Sequence, residues 1–80
     1  MKIYIVEKRS KYAEWKVEPY TKEKWDSAWD NADYRTSKRW GMIQSIARWF
    51  RDHYFFLVEA DYREEAVRHA QDWMEEYYDK

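Results

Sequence analysis

The chain has no cysteine, which excludes a disulfide framework and any thiolate metal site. It has one glycine, Gly41, and one proline, Pro19, so flexible linkers, low-complexity tracts and glycine-rich phosphate loops are excluded as well. No apolar run approaches the roughly 20 residues of a membrane-spanning helix. The opening stretch Met1-Lys2-Ile3-Tyr4-Ile5-Val6-Glu7 is too short an apolar segment for a signal peptide and lacks a small-residue cleavage site. A cytoplasmic setting is the expectation. Aliphatic residues are scarce too: Leu, Ile, Val and Phe total 12 of 80, with Leu57 the single leucine. Such scarcity signals disorder only beside a high net charge, and the formal net charge here is −1.

Aromatic residues fill the gap. Six Trp, eight Tyr and three Phe each bury a large area, so few are needed to close a small core. Eighty residues, 1–80, are expected to make one domain. So many rings are hard to hide in so short a chain, and Trp and Tyr left at the surface are residues that interfaces favour. The near-neutral balance also conceals an asymmetry. Residues 34–54 carry five basic side chains and one acidic, whereas residues 55–80 carry eight acidic and three basic.

Hydrophobic periodicity predicts an α+β domain of element order β-β-α-α-β-α. Ile3 to Glu7 reads as a first strand, and Glu14-Trp15-Lys16-Val17-Glu18 alternates as a half-exposed second strand that Pro19 ends. The two are expected to form a hairpin. Thr21 caps a helix with Trp25, Ala28, Trp29 and Ala32 on one face and Asp26, Asp30 and Asp33 opposite. A break over Tyr34 to Thr36 follows. Ser37 then caps a second helix whose core face is Trp40, Ile43, Ala47 and Phe50, widened by Met42, Ile46 and Trp49. Tyr54 to Val58 is apolar at every position, as in a strand covered on both sides. Asp61 and Glu64 open a last helix as a capping box, and it runs to about Tyr78 with Ala66, Ala70, Trp73 and Tyr77 on its stripe. The expected product is a small three-stranded, largely antiparallel sheet with three helices mainly on one face, the second strand at an edge and the first and third adjacent. Tyr4 and Val6 point opposite to Ile3 and Ile5. Either a helix crosses to the second sheet face, or that face is a contact surface around Tyr4, Val6 and Val58.

Catalytic patterns are nearly absent: no nucleophile elbow, no HExxH and only two histidines. His53 lacks an identifiable nucleophile or orienting partner and reads as a residue at a helix C-terminus. On the last helix, His69 shares a face with Glu65, Asp72 and Glu76. A divalent ion could use His69 with one carboxylate, but a solvated acidic face explains the same residues and one helix supplies few ligands. No catalytic residue, metal or cofactor is expected. Carboxylate rows at Asp26, Asp30 and Asp33, or at Glu64, Glu65, Asp72, Glu75, Glu76 and Asp79, could locally imitate phosphates, although ordinary solvated helix faces account for them.

The basic middle carries the strongest binding signals. Trp49 beside Met42 and Arg48, with Arg51 and Tyr34 nearby, has the character of an interface anchor. The residues read as a non-catalytic module that occludes a surface of a partner protein, with charge setting orientation and one or two buried rings supplying affinity. An alternative partner is nucleic acid, held by Arg35, Lys38, Arg39, Arg48 and Arg51 on a basic, aromatic helix. Its weakness is that the domain as a whole is not basic. A self-associating module, a homodimer through the second sheet face, is the other alternative. In size and texture the chain resembles small phage or mobile-element accessory proteins, including anti-CRISPR inhibitors of bacterial defence. That resemblance attaches to no defined stretch of residues and implies only the class of partner.

Overall fold

The computed structural model describes residues 1–78, the side chain of Tyr78 excepted; Asp79, at the end of the acidic row, lies outside the described residues. The chain runs β1 (Lys2–Lys8), β2 (Trp15–Pro19), α1 (Lys22–Asp30), β3 (Tyr34–Thr36), β4 (Ile43–Trp49), β5 (His53–Ala60) and α2 (Arg63–Trp73), and α2 continues into a π-helical turn, Met74–Tyr78. The five strands form one sheet of order β2-β1-β5-β4-β3. Every neighbouring pair is antiparallel. The expected three-stranded sheet with three helices is therefore replaced by five strands and two helices.

The difference lies entirely in residues 34–50. The segment expected to be a second helix is strand β4, and the expected break over Tyr34 to Thr36 is edge strand β3. A β-bulge explains why the sequence mimics a helix. Ile43 pairs with Val58 and Ser45 with Leu57, so Gln44 is one residue extra on β4. The extra residue restores Ile43 and Ile46, three apart, to the same sheet face, and both join the core under α2. Ala47 and Trp49 turn to the other face. A bulged strand buried on both faces thus shows apolar residues at spacings of three and four, which otherwise mark a helical stripe, with the spacing of four crossing from one face to the other. Entry to β4 is a tight hairpin, in which Trp40 and Ile43 exchange both backbone hydrogen bonds, at 3.0 and 2.9 Å. Gly41 takes φ +56 there, as the first central residue of a II′ turn requires. No helix could pass through that turn.

Each face of the sheet carries one helix. On one side Tyr4, Val6, Ile46, Tyr54, Phe56 and Val58 pack beneath α2. Ala66 and Ala70 are fully buried, and their small side chains let that helix lie close on β1, β2 and β5. On the other side α1, linking edge strand β2 to edge strand β3, brings Trp25 and Ala28 onto Ile5, Ala47 and Phe55. The apolar second face is thus covered by a crossing helix, one of the two outcomes open in the sequence. The helices do not share one face, and the surface around Tyr4, Val6 and Val58 is buried under α2. Thr21 caps α1 as expected, accepting from the Lys24 N–H at 3.3 Å. The Asp61–Glu64 capping box does not form: Tyr62 is the N-cap of α2, with no side-chain bond.

Candidate functional site

The basic middle segment is distributed over strands and turns, and the basic, aromatic helix proposed for nucleic acid does not exist. Arg35 turns back to α1, where its Nε donates to the Trp29 carbonyl at 2.6 Å and its Nη2 to the Asp30 carbonyl at 3.1 Å. It closes off the carbonyls at that helix end. Arg39 donates to the Gly41 carbonyl at 2.9 Å and pairs with Glu59 at 3.2 Å. Gln44, the bulged residue, donates to the same Glu59 oxygen. Together these bonds hold the Glu59 carboxyl below the usual carboxylate range, the Gln44 amide first and the Arg39 guanidinium after it. Lys38 rests 5.9 Å from the Trp40 ring. Two of the five supposed phosphate contacts, Arg35 and Arg39, are thus engaged by other groups of the chain while remaining exposed.

Of the residues expected at a protein interface, three gather at the end of the sheet where β4 turns into β5. Tyr34 and Arg48 are register partners on β3 and β4, and the guanidinium carbon lies 5.1 Å from the phenol ring centroid. Arg48 Nε is buried with no hydrogen-bond acceptor. Arg51 is exposed in the three-residue turn between Trp49 and His53, and it makes no ion pair among the described residues. The other two residues lie elsewhere. Met42 packs against the core under α2. Trp49 faces α1, donating from Nε1 to the Ala28 carbonyl at 2.6 Å and packing on Phe55 at 4.9 Å. It is a half-buried tie between β4 and α1.

Phe50 supplies what the sequence misplaced. Expected on the core face of a helix, it sits at the hairpin tip, 77% exposed, with φ +57. It is the one non-glycine residue with positive φ among the described residues, in a region that bulky side chains rarely adopt. Asp33 holds the tip in place: its Oδ2 accepts from the Phe50 N–H at 2.8 Å, while its own N–H donates to the Arg48 carbonyl at 2.9 Å. Asp33 therefore lies beyond α1, and the carboxylate row expected on that helix ends at Asp30. A turn with a lone aromatic between Trp and Arg carries no periodicity by which sequence could mark it.

A concave feature lies beside α1, a cleft of about 670 Å³ floored by Ile5, Ala28, Phe55 and Trp49 and rimmed by charges of both signs. At its end His53 Nε2 lies 2.7 Å from Glu7 Oε2. The imidazole stacks on Phe55 at 4.7 Å and meets Trp49 edge-on at 5.1 Å. Glu7 is the orienting partner that the sequence left unidentified. It stands opposite Phe55 in the β1–β5 register, a pairing 46 residues apart in the chain that no local pattern announces. The pair ties β1 to β5 across the sheet. His69 lies 3.5 Å from Glu65. Among the described residues no three His, Asp or Glu side chains gather closely enough to hold a metal ion, and no helix is long and apolar enough to cross a membrane.

The class these features define is architectural: a five-stranded antiparallel sheet with one helix on each face and an aromatic, cationic hairpin end. Compared with protein-family models, with curated proteins and with solved structures, the chain finds no match in any of the three.

Proposed function

We propose that this protein is a non-catalytic binding module that docks the β4–β5 hairpin end onto a partner protein and covers a functional surface there. The observation that supports the reading is Phe50: an exposed aromatic ring kept in a left-handed backbone conformation by the Asp33 clamp. Backbone strain of about 1–2 kcal/mol persists only where the surrounding structure enforces it, and it clusters at sites of function. Tyr34, Arg48 and Arg51 add aromatic and cationic groups at the same end of the sheet. The complementary partner surface is acidic, with an apolar recess for the phenyl ring. A bacterial defence complex, blocked by a phage or mobile-element inhibitor of the anti-CRISPR kind, is the target class we rank first, on the size and texture of the chain alone.

The test is capture of partners from a bacterial lysate by the tagged protein, with and without nuclease, using wild type, Phe50→Ala and Arg51→Glu. One protein complex retained after nuclease and lost with either variant is the expected result. Capture that disappears with nuclease, or that ignores both variants, overturns the reading.

A further inference from the structure

A second cleft, of about 270 Å³, opens beside the Gly41–Met42 turn, at the other end of β4 from Phe50. Its walls are three aromatic rings from two separate parts of the chain: Trp40 before the turn, Trp73 at the end of α2, and Tyr77 in the π-helical turn. The centroids lie 6.0 Å apart for Trp40 and Trp73, 5.9 Å for Trp40 and Tyr77, and 5.4 Å for Trp73 and Tyr77. The corresponding interplanar angles are 68°, 51° and 37°. No two of these three rings stack face to face. Single π-helical turns recur at functional sites, and this one sets Tyr77 alongside Trp73.

The remaining lining fixes the sign of the charge that fits. Asp72 and Glu76, one helical turn apart, both border the cleft, and neither makes an ion pair among the described residues. No lysine or arginine lines it, and its one histidine, His69, lies 3.5 Å from the Glu65 carboxylate. Negative ring faces and two free carboxylates repel an anion and attract a cation. A bare divalent metal does not suit the walls, because it demands several oxygen ligands at about 2.0–2.6 Å and no such group forms among the described residues. An ammonium carrying methyl groups meets both requirements: its charge is diffuse and its surface is apolar. The volume equals that of about nine waters, room for such a head group and the carbon next to it but not for a large metabolite. Lys38, whose ammonium lies 5.9 Å from the Trp40 ring, shows the same ring facing a cation from this chain.

We infer that the Trp40–Trp73–Tyr77 cleft is a binding site for a quaternary alkylammonium group. The ammonium sits against the three rings, and Asp72 and Glu76 complement its charge from the open side. This site is independent of the hairpin end.

The experiment follows the indole N–H resonances of Trp40 and Trp73 while choline is titrated into the full chain at constant ionic strength. Its neutral isostere 3,3-dimethyl-1-butanol is titrated in parallel. Choline is expected to saturate and to bind about tenfold or more tightly than the isostere, because only the cation gains from the ring quadrupoles. Trp73 also packs on Phe56 at 5.5 Å, so the variants are Tyr77→Ala and the pair Asp72→Asn with Glu76→Gln, which leave that contact intact. Either is expected to weaken choline severalfold while the unliganded spectrum stays folded. A peptide bearing trimethyllysine, set against the same peptide with unmodified lysine, separates the sources of the group. Binding of the methylated peptide tighter than choline assigns the site to a modified protein tail, and weaker binding assigns it to a small molecule. No saturation by either ligand, equal affinity for the neutral isostere, or indifference to both sets of variants overturns the inference.

Discussion

At the scale of single residues, two of the described positions carry backbone that ordinary side chains avoid. Gly41 meets the requirement with the residue suited to it, and open space surrounds the position where a Cβ would stand. Phe50 meets it with a bulky ring facing solvent. Nothing in the core gains from that ring, so a residue that tolerates φ > 0 is expected to fold better there. Phe50→Asn is predicted to raise stability by about 0.5–1 kcal/mol, read as a higher urea midpoint with an unchanged slope, while abolishing partner capture. A stability loss would mean that the ring packs usefully in the folded state and that its exposure is not held in place by Asp33.

At the scale of elements, strand β4 is held to its neighbours by a small polar cluster at its bulge. Gln44 and Arg39 both bond Glu59 on β5, so the irregular residue is anchored by the strand it disrupts. The Glu59 carboxyl lies below its ordinary range when folded. A carboxylate shifted downward stabilises the fold above its unfolded pKa, and that contribution disappears as pH falls through the folded value. Wild type is therefore predicted to lose stability on acidification more steeply than Glu59→Gln, with the two converging once the pH has fallen below the folded value. Urea midpoints measured from neutral pH downward check this, and parallel curves for the two proteins would contradict it. The same bulge explains the largest error of the sequence reading. Ile43 and Ile46 share a face three residues apart because of the extra residue, Ala47 is buried on the opposite face, and Phe50 lies beyond the strand, so their helical spacing marks no single face.

At the scale of the whole molecule, one sheet serves two cores. Phe55 and Phe56 are neighbours in β5, yet Phe55 packs under α1 and Phe56 under α2. Phe56 is fully buried and touches Trp15, Tyr54 and Trp73 at centroid distances of 6.1, 5.8 and 5.5 Å. Removing such a ring costs about 3–5 kcal/mol, comparable to the whole stability expected of an 80-residue domain. Phe56→Ala is predicted to unfold both sides at once, with the helical circular dichroism and the near-ultraviolet tryptophan signal lost together. Retention of the environment around Trp25 and Trp49 in that variant would show that the two faces unfold separately.

The sequence by itself determined the elements whose signals are local. The Ile3–Glu7 strand, the alternating strand ended by Pro19, the Thr21 cap and the uninterrupted apolar run of β5 each needs only neighbours along the chain. It also showed that both faces of the sheet must be covered, because Tyr4 and Val6 oppose Ile3 and Ile5. Only the tertiary structure decided that α1 crosses to the second face, since that depends on how far apart the two edge strands lie. It alone paired Glu7 with His53, bonded Arg35 to the end of α1 and Arg39 to Glu59, and assembled Trp40 with Trp73 and Tyr77. These contacts join residues distant in sequence, and their formation follows from sheet register and one bulge rather than from any local preference.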